Sequence, residues 1–209
     1  MRNKFTIFSA LISLTLLLAC QSNDNKKPLP YYGEKTVVDG DTIHYTIPDF
    51  TFLSQDSIEI SNTNLDKYIY VSDFFFISCP TICPVVKKQM LRIYEKYKDN
   101  PRVKLVSHTL DPKRDTPSKL NRYAKKLSVR NDKWLFLTGD KDSLIDMAEN
   151  YFVTAFEDED APGGINHSGL IVLVDTKKRV RASAVGTDPE DVTELLKDID
   201  RLLLEYEKN

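Results

Sequence analysis

The sequence predicts an α/β fold: a central, mostly parallel sheet with flanking helices, closed by a C-terminal hairpin and helix. Three observations predict it. Short β-branched and aromatic runs alternate with stretches of helical period between Tyr68 and Leu203. The elements follow the order β-α-β-α-β-α-β-β-α, and strands joined through helices pair in parallel and need cover on both faces. The chain has 209 residues, enough for one domain with a substantial core.

Taken in order, residues 31–46 look extended, IPDFTFL (47–53) is a short alternating strand, and 56–61 suggests another. YIYVSDFFF, starting at Tyr68, is the first core strand. Val86, Met90, Ile93, Tyr94 and Tyr97 recur at helical spacing and predict a helix over 84–98, with Pro84 tolerable only in its first turn. VKLVSHTL (103–110) is a strand. Thr116-Pro117 looks like a cap and first turn ahead of Leu120, Tyr123, Ala124 and Leu127. WLFLTG (134–139) is the third core strand, and Asp140 caps a helix carrying Leu144, Ile145, Ala148 and Tyr151. An acidic loop ending in Pro162-Gly163-Gly164 follows. GLIVLVD (169–175) and RVRASAV (179–185) form a hairpin, and Asp188-Pro189 opens a last helix with Val192, Leu195, Leu196, Ile199 and Leu203 inward. A dithiol after the first core strand and a final hairpin plus helix match thioredoxin-like topology.

Apolar residues make up 41% and charged residues 29%, the balance of a soluble globular domain. The formal charge is −2 with both signs interspersed, which gives a nucleic-acid partner no electrostatic footing. The first 19 residues differ from the rest. Arg2 and Lys4 precede an apolar run from Phe5 to Leu18, too short to span a bilayer comfortably and of the kind found in secretory signals. Leu17-Leu18-Ala19-Cys20 resembles the lipobox of bacterial lipoproteins, which implies cleavage before Cys20 and its acylation. Leu18 departs mildly from the small residue common at that position. Three regions result: a signal peptide (1–19), a lipidated Cys20 with a tether (20–39), and a domain (40–209). An extracytoplasmic protein, held to a membrane by lipid, is expected. Without residues 1–19, 27 basic residues stand against 31 acidic ones.

With Cys20 assigned to lipid, Cys79 and Cys83 remain. They lie in a compartment where disulfides form. A bridge closing so short a loop would do little as a staple, because the stabilisation grows with loop length. The pair is therefore read as redox-active or metal-binding. It sits at a strand-to-helix junction, Ile77-Ser78-Cys79-Pro80-Thr81-Ile82-Cys83-Pro84. With Cys83 in the first helical turn, both sulfurs can converge on the unpaired N–H groups there, which favour thiolate. Three intervening residues, one more than the usual redox motif, widen the bite for a soft ion. Spacing alone does not choose between the two chemistries. Among the histidines, His44 lies in irregular sequence and His108 inside a predicted strand, where a hydrogen-bonded role fits. His167 sits between a Gly-rich loop and a strand start and is free to approach the cysteines. Two thiolates and a neutral imidazole could hold copper in either oxidation state.

These residues resemble the Sco/SenC family. The matching segments are Cys79-Pro80-Thr81-Ile82-Cys83-Pro84, then Asp111-Pro112-Lys113-Arg114-Asp115-Thr116-Pro117, then His167, in the family's order over roughly residues 40–207. Phe75-Phe76-Ile77 stand where members often carry Gly-Tyr-Thr. The resemblance implies a thioredoxin fold. It also implies one copper, Cu(I) or Cu(II), on Cys79, Cys83 and His167. The implied role is a metallochaperone for the copper A-bearing subunit of cytochrome c oxidase, or for another copper client. Some members are thought to be thiol-disulfide reductases, and the alternative here is an extracytoplasmic oxidoreductase with Cys79 and Cys83 as its catalytic dithiol. A peroxidase-like site would need one dominant cysteine, which nothing in the sequence marks. Asp111–Pro117 reads as a structural corner in which Arg114 can pair with Asp111 or Asp115. The acidic stretch Glu157–Asp160 reads as a solvated loop, with a docking surface for a basic partner as the functional alternative.

Overall fold

The computed structural model describes residues 27–207. The segment read as a signal peptide, Cys20 with its expected acylation, and the expected tether as far as residue 26 lie outside the described residues. The elements are β1 (Lys35–Val38), β2 (Asp41–His44), β3 (Thr51–Ser54), β4 (Glu59–Ser61), β5 (Ile69–Phe75), α1 (Ile82–Tyr97), β6 (Val103–Thr109), α2 (Pro117–Lys126), β7 (Trp134–Thr138), α3 (Lys141–Asn150), β8 (Ala155–Glu157), β9 (Ile165–His167), β10 (Leu170–Val174), β11 (Val180–Val185) and α4 (Pro189–Glu205).

The main sheet has seven strands in the order β11-β10-β5-β6-β7-β3-β4. Its centre is parallel, β5 to β6 and β6 to β7, because α1 and α2 carry the chain back across the sheet between them. The outer pairings are antiparallel, which makes the sheet mixed. Two of them follow from short turns, between β3 and β4 and between β10 and β11. Between α3 and β10 the chain forms a small antiparallel ribbon, β8–β9, where the sequence predicted only a loop. Every residue of β5 and β7 is buried, as central strands covered on both faces require.

The helix starts follow local chemistry. The Asp140 carboxylate accepts from the Ser143 N–H at 3.0 Å. Asp188 does the same for Glu190 at 2.8 Å, just before Pro189 in the first turn of α4. The segment read as the end of the tether is docked onto the domain from Leu29. That side chain is buried, and its carbonyl and that of Pro30 accept from the Arg181 guanidinium at 2.7 and 3.0 Å. Arg181 is itself buried and needs those acceptors, which explains why a polar, proline-bearing run packs down.

Candidate metal centre

The centre lies where β5 ends and α1 begins. Phe75 closes the strand, and the Cys79 N–H returns to the Phe76 carbonyl at 3.2 Å, a turn that carries the sulfur back toward the helix. Thr81 is the N-cap of α1 and makes no side-chain cap bond. Burial pushes the Cys79 thiol up, but hydrogen bonds from the backbone of Cys83 and Thr81 outweigh it and leave the group below its ordinary value. The sulfur thus serves the orphan donors of the helix N-terminus. Burial, with a hydrogen bond to Cys79 adding to it, pushes the Cys83 thiol well above the usual range. Both cysteines are free thiols and buried.

His167 ends β9 and reaches the pair from the ribbon, opposite Ala155 in register. Its Nε2 lies 3.3 Å from the Cys83 sulfur, and the three donor atoms of Cys79, Cys83 and His167 lie within 4.8 Å of one another. Burial lowers the imidazole, which keeps it neutral and able to ligate. Its Nδ1 is buried without a hydrogen-bond partner. The Phe76 ring stands edge-on to the imidazole at 6.0 Å. Gly163, at φ +90°, passes so close over Phe76 that a Cβ there would meet the ring at 2.7 Å, so that turn has no room for a side chain. An open cavity of about 350 Å³ leads to the site, bounded by Cys79, Thr81, Asp158, Asp160, Ile165 and His167.

Asp111–Pro117 braces the cysteine loop. The Asp115 carboxylate accepts from the Ile77 N–H at 3.0 Å and from the Thr109 hydroxyl at 2.7 Å. Arg114 pairs with Asp111, not Asp115, and reaches the Gly163 carbonyl at 3.4 Å. The corner therefore ties the cysteine loop to the glycine turn that packs on Phe76. Of the three residues that depart from the family pattern, Phe76 faces His167, Ile77 donates its N–H to Asp115, and Phe75 packs against Tyr123 and Phe136.

His108 is far from this role. It is fully buried among Phe50, Phe52, Phe74 and Tyr151, with Nδ1 3.3 Å from the Ser72 hydroxyl. His44 stacks on Tyr31 at 4.0 Å, in the β1–β2 ribbon. The acidic stretch is the turn of the β8–β9 ribbon, and Asp158 and Asp160 line the cavity that opens on Cys79 and His167. Sequence reasoning missed Asp73 and Lys87, a buried ion pair with Nζ to Oδ2 at 3.0 Å. Two signals mark them: a carboxylate inside an aromatic strand, and a lysine one helical turn after Cys83 on the apolar stripe.

Two thiols and an imidazole suit copper, since thiolate selects soft ions and imidazole is acceptable to both copper oxidation states. Three comparisons bear on that donor set. The SCO1/SenC family matches residues 40–204. The SCO1 protein homolog of Bacillus subtilis is 28% identical over 161 residues, covering 76% of this chain and 83% of that protein. A Stutzerimonas stutzeri protein named for copper binding is 32% identical over 133 residues, 61% of this chain and 63% of its own. The solved structure of BsSco is 27% identical with a TM-score of 0.66, and the match covers 76% of this chain and 93% of that one. BsSco is described as a member of the Sco family of cytochrome c oxidase assembly proteins, with a disulfide switch.

Proposed function

The chain belongs to the SCO1/SenC family, and on that premise we propose that it carries one copper ion on Cys79, Cys83 and His167 as cargo for the dinuclear copper A centre of cytochrome c oxidase. The observation that carries this reading is the convergence of the three donor atoms within 4.8 Å, although His167 lies 84 residues from Cys83. The relatives named for copper binding and for oxidase assembly support it. The protein's own part is to hold two sulfurs and a neutral imidazole in one place, behind a cavity wide enough for a client's donor groups. Phe76, on which the glycine turn packs, faces the imidazole, and the Asp115 corner fixes the loop that bears Cys79.

A disulfide cannot present two thiolates, so the oxidation state of the pair gates loading. The inequality of the thiols favours a second reading, an extracytoplasmic thiol-disulfide oxidoreductase in which Cys79, held below its ordinary pKa, attacks first and Cys83 resolves. Reduced full-length protein in detergent is expected to bind one copper per chain. Cys79→Ser, Cys83→Ser and His167→Ala are expected to abolish or weaken binding, and oxidised protein to bind only after reduction. No stoichiometric binding, or binding indifferent to His167, would transfer the site to the oxidoreductase reading.

The N-terminal sequence supports display outside the cytoplasm on a lipid anchor at Cys20. Incorporation of labelled palmitate that disappears in Cys20→Ser is the expected result; equal labelling of both forms would remove the anchor from the proposal.

A further inference from the structure

One helical turn beyond Cys83, two opposite charges are sealed in the core. The Lys87 side chain is 4% exposed and the Asp73 side chain 0%. The ammonium donates to Asp73 Oδ2 at 3.0 Å and to the Ser107 hydroxyl at 3.1 Å. Ser107 donates in turn to Asp73 Oδ1 and accepts from the Trp134 indole N–H at 2.8 Å. The rings of Phe75, Trp134 and Phe136 surround the ammonium at 4.2, 5.0 and 5.4 Å. Every polar atom of this network has a partner, and no water is needed to complete it.

Stability does not explain the arrangement. Replacing a buried ion pair by well-packed apolar residues is often neutral or stabilising, because desolvating two charges offsets their attraction. Position points to a different role. Lys87 follows Cys83 by one helical turn on the same buried face of α1, which makes the two side chains neighbours on the helix surface. Asp73 sits in β5, the strand that leads into the cysteine loop. Lys87 acts on Cys83 in the sense that favours its anion, whereas at His167 the two charges oppose each other, Asp73 acting more strongly than Lys87. The aromatic rings and the low-dielectric core keep these charges from being screened.

We propose that the buried Asp73–Lys87 pair is an electrostatic bias on the metal centre, with Lys87 holding the site in favour of Cu(I) over Cu(II). This rests on the copper reading given above. Two thiolates and a neutral imidazole around Cu(I) carry a net charge of −1, and around Cu(II) a net charge of zero. One electron from an external one-electron reductant makes the difference, and no proton moves. A fixed cation near the sulfurs lowers the energy of the anionic state more than that of the neutral one. Neither Asp73 nor Lys87 touches the metal-binding atoms; both act through space.

The test uses the full chain in detergent as wild type, Lys87→Met, Asp73→Asn and the double variant. Cu(I) and Cu(II) affinities are each measured by competition with chelators. Lys87→Met is expected to lower the ratio of Cu(I) to Cu(II) affinity about tenfold, equivalent to about 59 mV for one electron. Asp73→Asn, which leaves the cation unbalanced, is expected to raise it. The double variant strands no buried charge and is the safest to fold; its ratio should fall about threefold. A purely structural role would lower both affinities together, and that result overturns the bias, as does a shift of the same sign in both single variants or an unchanged ratio in the double variant. If the wild type binds no copper, the copper reading fails by itself. The bias is then read in metal-free protein equilibrated with a dithiothreitol couple at about pH 9, where Cys79, lowered by backbone hydrogen bonds, leans toward thiolate and Cys83, raised by burial, stays a thiol. There the couple supplies two electrons, and one proton goes to Cys83, so that opening the disulfide leaves a Cys79 thiolate and a Cys83 thiol. Lys87→Met should shift the equilibrium about threefold toward the disulfide, and no shift would overturn the proposal.

Discussion

His108 and His167 are both buried, both kept neutral by burial, and each has one ring nitrogen without a hydrogen-bond partner. They differ in what surrounds them. His108 stands in β6 at the centre of the sheet, stacked on Phe74 at 4.7 Å and ringed by Phe50, Phe52 and Tyr151. His167 stands at the end of a three-residue strand in a peripheral ribbon, beside two thiols and an open cavity. Burial sets the protonation of an imidazole. The company it keeps, and a path for the cargo, decide whether that imidazole is a ligand or a piece of core.

Exchanging the losses gives the strongest test of this contrast. His167→Ala should weaken copper binding by about tenfold or more and leave thermal stability nearly unchanged. His108→Ala should do the reverse, destabilising the fold by about 3 kcal/mol through the cavity it leaves, with copper stoichiometry intact. Chelator competition and denaturant unfolding of the two variants check it; if both variants fail in both assays, the two histidines share one role and the contrast is void.

A smaller effect separates them by pH. Burial lowers His108 to about 3 from an ordinary 6.5. The unfolded chain therefore takes up a proton below about pH 6.5 that the folded chain refuses. The sign follows: this contribution is complete above the unfolded value and is lost as pH falls toward 3, at up to about 1.4 kcal/mol per pH unit. His108→Phe should flatten the acid limb of the stability curve by that amount. Parallel curves for variant and wild type would show that His108 is not the group responsible.

Much of the scaffold could be seen in the chain. The alternation of strand and helix, the caps at Asp140 and Asp188, and the apolar stripes of α1 and α4 are local patterns, and they appear where the spacing predicts them. What escaped is not local. Strand direction between distant elements depends on how connections run in space, so a reading of element order saw the parallel centre and the C-terminal hairpin, but not the antiparallel pairings of β10 with β5 and of β3 with β7. The β8–β9 ribbon has three residues on each side and an acidic, glycine-bearing turn, too short for any periodic signal. Leu29 looked like part of a polar tether because its partner, Arg181, is 152 residues away.

Local chain chemistry was enough to mark the side chains that could do the work: two thiols at a strand-to-helix junction and a histidine after a glycine turn. Soft donors are rare, and the first turn of a helix has a recognisable composition. Tertiary structure decided the rest. It brought His167 to 3.3 Å from Cys83, kept His108 away from the cysteines, and set Asp73 against Lys87 one helical turn beyond Cys83. The physical reason is range. Helical and strand periods register neighbours a few residues apart, whereas burial, pairing of charges and ligand convergence depend on parts of the chain that meet only after folding.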